Sequence, residues 1–122
     1  MSRPEKISIL EALSFVYIAC SNFDDHIDDQ EVKTIQRKIV EWSPNDFELA
    51  KRSVESAVRW YFDENTDIYE DLETCIDGLK SWGNPENLKA IISDLTAIIN
   101  ADGVVHDREQ KFLDLIKARL EV

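Results

Sequence analysis

Apolar residues recur at intervals of three and four positions in six segments of the chain, and short polar stretches separate these segments. Such an interval places apolar side chains on one face of an α-helix. None of the segments alternates apolar and polar residues as a half-buried strand does. The pattern therefore predicts an all-α fold, in which residues 1–122 form a single-domain array of about six helices.

Proline, glycine and small polar residues mark the expected ends of these helices. Pro4 suits a first helical turn and predicts a first helix over about residues 5–20. Ser43 and Asn84 are each followed by proline, which predicts that they cap the third and fifth helices. Gly83 follows the fourth helix and is expected to end it in the left-handed backbone conformation.

The distribution of apolar residues predicts which parts of the helices are buried. The first and fifth helices are apolar on several faces and are expected at the centre of the array. Phe47 belongs to the expected buried face of the third helix, and the three tryptophans are expected in the core or at its edge. Seven acids in and before the fourth helix are expected on a solvated face: Asp63, Glu64, Asp67, Glu70, Asp71, Glu73 and Asp77.

Two acidic stretches, residues 22–31 and 100–109, share the pattern N-x-D-x-x-[IV]-x-D-x-E and lie 78 positions apart. Each lies between two predicted helices, so the chain contains two helix-acidic loop-helix units in rough internal repeat. We call these loops, with the first turn that follows each, the acidic elbows. Carboxylate oxygens bind hard divalent cations such as calcium. The candidate metal ligands are Asp24, Asp28, Glu31, Asp102 and Glu109.

The acidic elbows differ from an EF-hand calcium loop, which supplies oxygens from positions 1, 3, 5, 7, 9 and 12. With Glu109 at position 12, Ile98 occupies position 1 and His106 occupies position 9. In the first elbow Cys20 occupies position 1. A zinc site formed by a histidine and two acids is a second metal hypothesis. Neither histidine belongs to a Glu-x-x-His pair, which argues against a di-iron carboxylate bundle.

The same acids have a purely structural interpretation. Asp107 and Gln110 have the spacing of a helix capping box, as do Asp28 and Glu31. A cap stabilises a helix by about 1 kcal/mol, which is sufficient reason for acids at these positions. The sequence leaves both interpretations open, cation binding and helix capping alone.

The second elbow carries a recognisable motif. Residues 101–109 read A-D-G-V-V-H-D-R-E and match the pattern A-D-G-x-[IV]-x-x-x-E, and residues 23–31 match it with the alanine and glycine replaced. The chain resembles the TerB-like domains, the family of the tellurite-resistance protein TerB, which also includes the N-terminal domain of the co-chaperone DjlA.

This resemblance implies an all-helical array, no known catalysis, and a role in metal binding or stress-linked complexes. It places Asp24, Glu31, Asp102 and Glu109 at the acidic positions of the motif. Asp25 departs from the family glycine, although aspartate tolerates a left-handed backbone better than most residues do.

The composition of the chain favours some classes of binding partner over others. A net charge of -11 repels phosphate backbones and anionic lipid, so we expect no nucleic acid and no direct membrane insertion. A cation, or a protein partner with a basic surface, suits this charge. Cys20 and Cys75 lie in apolar segments and are expected to be buried thiols in a reducing compartment. With no secretory signal pattern, we expect a cytoplasmic protein.

The leading functional hypothesis is a non-enzymatic TerB-like domain that binds a divalent cation, calcium or zinc, and serves a stress response related to tellurite resistance. The alternative is a protein-interaction adaptor whose acidic elbows only cap helices. A hydrolase using clustered carboxylates is a third and weaker hypothesis, since the sequence contains no P-loop, dinucleotide fingerprint, H-E-x-x-H or G-x-S-x-G motif.

Overall fold

The computed structural model describes residues 3–21, 29–100 and 107–122. Within these ranges the chain forms six α-helices and no strand, which confirms the all-α prediction. The helices are α1 (Ile9–Ser21), α2 (Asp29–Trp42), α3 (Phe47–Tyr61), α4 (Ile68–Trp82), α5 (Pro85–Ile99) and α6 (Asp107–Leu120). None of them is long and apolar enough to cross a membrane.

Helix α1 is the centre of the array. Every residue from Ala12 to Cys20 is buried, and α1 packs against each of the other five helices. The sequence also placed α5 at the centre, but α5 is buried along one side only. Its polar residues recur at intervals that keep one face in solvent, whereas residues 12–20 of α1 are almost entirely apolar.

The first helix begins later than the sequence predicts. It starts at Ile9 and not near residue 5, because Ser8 and Glu11 form a reciprocal cap. The backbone amide of Glu11 donates to the Ser8 hydroxyl, and that of Ser8 donates to the Glu11 carboxylate, each over 3.1 Å. This capping box satisfies two backbone donors, so Pro4 precedes the helix.

The third helix is capped by a different residue from the predicted one. Asp46 caps α3 and accepts from the backbone amide of Leu49 over 3.0 Å, while the Ser43 carbonyl accepts from the Asp46 amide in the preceding turn. The predicted Ser43 cap is therefore wrong. Phe47 is then the first helical residue and is 59% exposed, so its predicted burial is wrong too.

The boundary between α4 and α5 follows the prediction in one half only. Asn84 caps α5 as predicted, and its side chain accepts from the backbone amide of Asn87 over 2.8 Å. Gly83 has φ -84° and ψ 143°, an extended and not a left-handed conformation. A Cβ atom at Gly83 would lie only 2.8 Å from Cδ2 of Leu88. Glycine is needed here for space.

The largest side chains of the core come from α1 and α3. Trp60 is fully buried, and its ring centroid lies 4.1 Å from that of Phe15. Tyr61 packs edge-on to the same phenylalanine at 5.4 Å. Trp42 is half-buried, and its ring lies 5.8 Å from that of Trp82, which is 42% exposed at the edge of the core.

Candidate functional site

The structure describes two of the five predicted metal ligands. Glu31 lies in the first turn of α2, and Glu109 lies in the first turn of α6. Both residues are half-buried. Asp24, Asp28 and Asp102 lie outside the described residues, so their role stays a prediction.

Glu109 acts electrostatically on the end of α1. Cys20, the last residue but one of α1, is buried, and its pKa is raised to about 12 by burial and then by the negative charge of Glu109. Helices α1 and α6 are also in contact. The acidic first turn of α6 therefore lies near the C-terminal end of α1.

A cation bound by several carboxylates relieves the repulsion between them. The described part of the chain contains no group of three or more His, Cys, Asp or Glu side chains placed to hold a metal ion. The other three candidate ligands lie outside the described ranges, so the cation site stays a prediction.

A polar cluster that the sequence did not reveal joins the two elbow units. Oδ2 of Asp94 in α5 accepts hydrogen bonds from the Tyr17 hydroxyl at 2.7 Å and from Nε1 of Trp42 at 3.0 Å. The Lys38 ammonium lies 3.9 Å from Oδ1 of the same carboxylate. Two features of the sequence could have indicated this cluster: an acid within an apolar helix, and a tryptophan at the last position of α2.

Tyr17 serves this cluster as a donor. Burial raises its pKa far above the usual range, and the charge of Asp94 raises it further. The hydroxyl therefore keeps its proton at every physiological pH. Because Tyr17 is in α1, Trp42 in α2 and Asp94 in α5, the cluster fixes the first elbow unit to the helix that leads into the second.

A buried carboxylate contradicts the predicted solvated face of α4 at one position, Asp71. Asp71 is only 4% exposed. It accepts from Nε1 of Trp60 over 2.8 Å, and its other oxygen lies 2.8 Å from a guanidinium nitrogen of Arg3. The prediction is wrong for Asp71, because these two partners, distant in sequence, allow its burial, while the other acids of α4 are exposed as predicted.

The Asp71 carboxylate also affects a neighbouring thiol. Cys75 lies one helical turn further along α4, is buried, and forms no disulfide. Burial raises its pKa to about 12, the charge of Asp71 adds to the rise, and Arg3 partly opposes it. Both cysteines are thus buried thiols, as the sequence predicted.

Five helices around a central α1, with an acidic first turn in α2 and in α6, define a class of small all-helical domains built from two elbow units. The model of the family described as tellurite resistance protein TerB matches residues 7–122. The chain therefore belongs to the TerB family, which confirms the resemblance seen in residues 101–109 and 23–31. Comparisons with curated proteins and with solved structures gave no match.

Proposed function

We propose that this TerB domain is a non-enzymatic cytoplasmic protein that binds a divalent cation, calcium or zinc, at its acidic elbows and works in a stress response. One observation supports the cation proposal: α6, which carries Glu109 in its first turn, contacts α1, and the charge of Glu109 helps to raise the pKa of Cys20 near the end of α1. Glu109 and the end of α1 therefore lie in one region of the molecule.

The proposed ligands are chosen for their chemistry. Calcium takes six to eight oxygens, and carboxylates from two loops can supply several of them. Glu31 and Glu109 sit on helices, which hold their backbones in fixed positions. Asp24, Asp28 and Asp102 complete the proposed set. Zinc would take fewer ligands, with a histidine of the same loops beside two acids.

The test is a titration of chelator-treated protein with calcium, zinc and manganese, followed by the amide NMR signals. Binding at the elbows should move the signals of Glu31, Gly103 and Glu109 and leave those of α3 and α4 in place. If these three signals do not move at millimolar ion, the cation proposal fails.

A matched pair of variants separates binding from capping. The double change Asp102→Ala with Glu109→Ala removes two proposed ligands, and the control Glu55→Ala with Asp77→Ala removes two exposed acids of α3 and α4. Cation binding predicts that the elbow variant loses stability relative to the parent only when the ion is present. Capping alone predicts a loss of about 1 to 2 kcal/mol with or without chelator.

The adaptor alternative, in which the elbow acids serve only as caps, has one observation in its favour. Asp46, Asp67 and Asn84 each cap a helix by accepting from the backbone amide three residues on. This chain therefore uses acidic and amide side chains repeatedly as caps. An ion-independent loss of stability in the elbow variant would support this alternative.

The stress-response role rests on the description of the family, which names tellurite resistance. Its test is growth of the host with and without the gene across a series of potassium tellurite concentrations. The proposal expects the deletion strain to stop growing at a lower concentration, and a plasmid copy should restore growth. Equal growth of the two strains would remove tellurite from the proposal.

A further inference from the structure

A groove of about 290 Å³ lies between α2 and the start of α3. We call it the basic groove and define it by Lys33, Gln36, Arg37 and Val40 of α2 and Phe47 of α3. The four α2 residues follow one another at helical spacing and form a single stripe along that helix. The groove follows the 22–31 elbow directly, since Lys33 is two residues beyond Glu31, and it is far in sequence from the 100–109 elbow.

The charge of the basic groove is opposite to that of the chain. Lys33 and Arg37 are exposed, and among the described residues neither forms an ion pair with an acid. Glu31 lies two positions before Lys33, a spacing that does not bring two helical side chains face to face. Asp29 and Glu41 lie one turn from Lys33 and Arg37, and neither forms an ion pair with them in the described part of the chain. In a chain with a net charge of -11, two unpaired cations on one stripe create a local site for carboxylates.

The floor and wall of the basic groove are apolar. Val40 is half-buried, and Phe47 is 59% exposed although it is the first residue of α3. Asp46, directly before it, is held by its cap to Leu49, so the start of α3 fixes the phenylalanine beside the groove. Two cations next to an exposed aromatic ring suit a ligand that is both acidic and apolar.

We propose that the basic groove binds an acidic helical segment of a partner protein, with two carboxylates against Lys33 and Arg37 and one apolar side chain against Val40 and Phe47. Four residues of helix separate the two cations, a rise of about 6 Å. Two acids four positions apart on a partner helix have the same separation. An apolar residue three positions beyond the second acid then reaches Val40, which gives the pattern E-x-x-x-E-x-x-F.

The charge balance favours a protein segment over a polyanion. Nucleic acid and anionic lipid present many negative charges, which the other acids of this chain repel. A short segment with two acids engages only the two cations. The inference does not depend on cation binding at the elbows. Composition predicts a partner with a basic surface, whereas the basic groove is proposed to bind an acidic one.

The probe is a fluorescein-labelled alanine-rich helical peptide carrying E-x-x-x-E-x-x-F, titrated with the full chain and followed by anisotropy. We expect saturable binding and amide NMR shifts confined to α2 and the first turns of α3. A peptide with both glutamates changed to glutamine should bind about tenfold more weakly. Equal binding of the two peptides would overturn the proposal.

Matched variants locate the site. Lys33→Glu with Arg37→Glu should weaken binding at least as much as the glutamine peptide does, whereas Lys89→Glu with Lys117→Glu, which makes the same charge change on α5 and α6, should leave it within about twofold. Circular dichroism confirms that both variants are folded. An equal loss in the two double variants would show a non-specific charge effect and overturn the site.

The apolar contact and the class of partner have their own readouts. Phe47→Ala should weaken the peptide several-fold without changing its dependence on salt. Competition tests the class of partner, with phosphatidylserine vesicles or a single-stranded oligonucleotide as competitor. The protein-segment assignment is overturned if either one displaces the labelled peptide at a lower concentration than unlabelled peptide does. Sedimentation showing that a second copy of the chain occupies the groove would overturn it as well.

Discussion

The hydroxyl of Tyr17 lies 2.7 Å from Oδ2 of Asp94 and joins α1 to α5 across 77 positions of sequence. Nε1 of Trp42 donates to the same oxygen from α2 and lies 3.2 Å from the tyrosine hydroxyl. One carboxylate oxygen thus receives two donors from two helices. The polar contacts of these helices depend on Asp94, which is the acceptor for both.

Asp94→Ala should therefore cost more stability than Tyr17→Phe. The alanine variant leaves the buried Tyr17 hydroxyl without its acceptor, at about 1 to 3 kcal/mol, and leaves Nε1 of Trp42 only its longer hydrogen bond to that hydroxyl. The phenylalanine variant removes the hydroxyl with its hydrogen bonds but keeps the bond from Trp42 to Asp94, so it leaves no donor unpaired. Urea unfolding followed by circular dichroism measures both losses. The double variant should lose less than the sum of the single variants because the residues share one interaction.

The control for this cycle is Asp77→Ala, which removes an exposed acid of α4 and should change the free energy of unfolding by less than about 0.5 kcal/mol. Strict additivity of the Tyr17 and Asp94 losses would contradict the shared interaction.

The Asp71 carboxylate makes a second separable prediction. Asp71→Ala leaves Nε1 of buried Trp60 without its acceptor and should destabilise the protein by about 2 to 3 kcal/mol. Arg3→Ala should cost under about 1 kcal/mol, since the arginine side chain is 41% exposed and its ion pair is screened. Thermal or urea unfolding checks the order, and an equal loss in the two variants would contradict it.

The two buried thiols predict a dependence of stability on alkaline pH. The pKa of Cys20 and that of Cys75 are each raised from 9.0 to about 12 in the folded chain. The folded state therefore retains protons that the unfolded state releases. The stability linked to these groups is complete below pH 9 and is lost as pH rises towards 12.

Guanidinium unfolding at pH 8, 9, 10 and 11 should show a falling free energy of unfolding. The variant with both cysteines changed to alanine should show a smaller fall, the remainder coming from Tyr17, whose pKa is raised as well. At pH 8 the folded chain should hold roughly a thousandfold less thiolate than the unfolded chain. Rapid reaction of either native thiol with a disulfide reagent would contradict the prediction.

Changing glycine to alanine should have opposite effects at Gly78, within α4, and at Gly83, directly after α4. Gly83→Ala places a Cβ atom 2.8 Å from Cδ2 of Leu88 and 3.1 Å from the Leu79 carbonyl oxygen, which should cost about 1 to 3 kcal/mol. Gly78→Ala meets nothing within 4 Å and should stabilise the helix by about 0.5 to 1 kcal/mol. Melting temperatures should shift in opposite directions.

Leu88→Val removes part of the side chain that opposes the new Cβ atom. The loss caused by Gly83→Ala should therefore be smaller in the Leu88→Val background. An unchanged loss would assign the effect to the backbone and not to the clash.

The periodicity of apolar residues predicted the six helices because each helix buries one face against α1. The sequence-based prediction failed at the start of α3, where two residues could cap the helix. Ser43 and Asp46 are both good caps, and the turn between them leaves Asp46 in the capping position. Phe47 was assigned to the core by its spacing, yet it falls at the first position of the helix, beyond the reach of the core.

The polar contacts were less predictable than the fold. Asp71 looks like any other acid of α4 in sequence, and its burial depends on Trp60 and Arg3, which belong to other parts of the chain. The same holds for Asp94 with Tyr17. Of the candidate cation site, the sequence predicted the acidic first turns of α2 and α6, and the proximity of Glu109 to Cys20 required the structure.

Burial of α1 on all sides has a consequence for synthesis of the chain. Among the six helices α1 leaves the ribosome first, yet α6, one of the five that cover it, is made last. The segment from Ala12 to Cys20 therefore emerges as an apolar run whose partners do not yet exist. Exposed apolar surface of this kind makes an incomplete chain prone to aggregation, and completion of α6 ends the interval in which the segment is exposed.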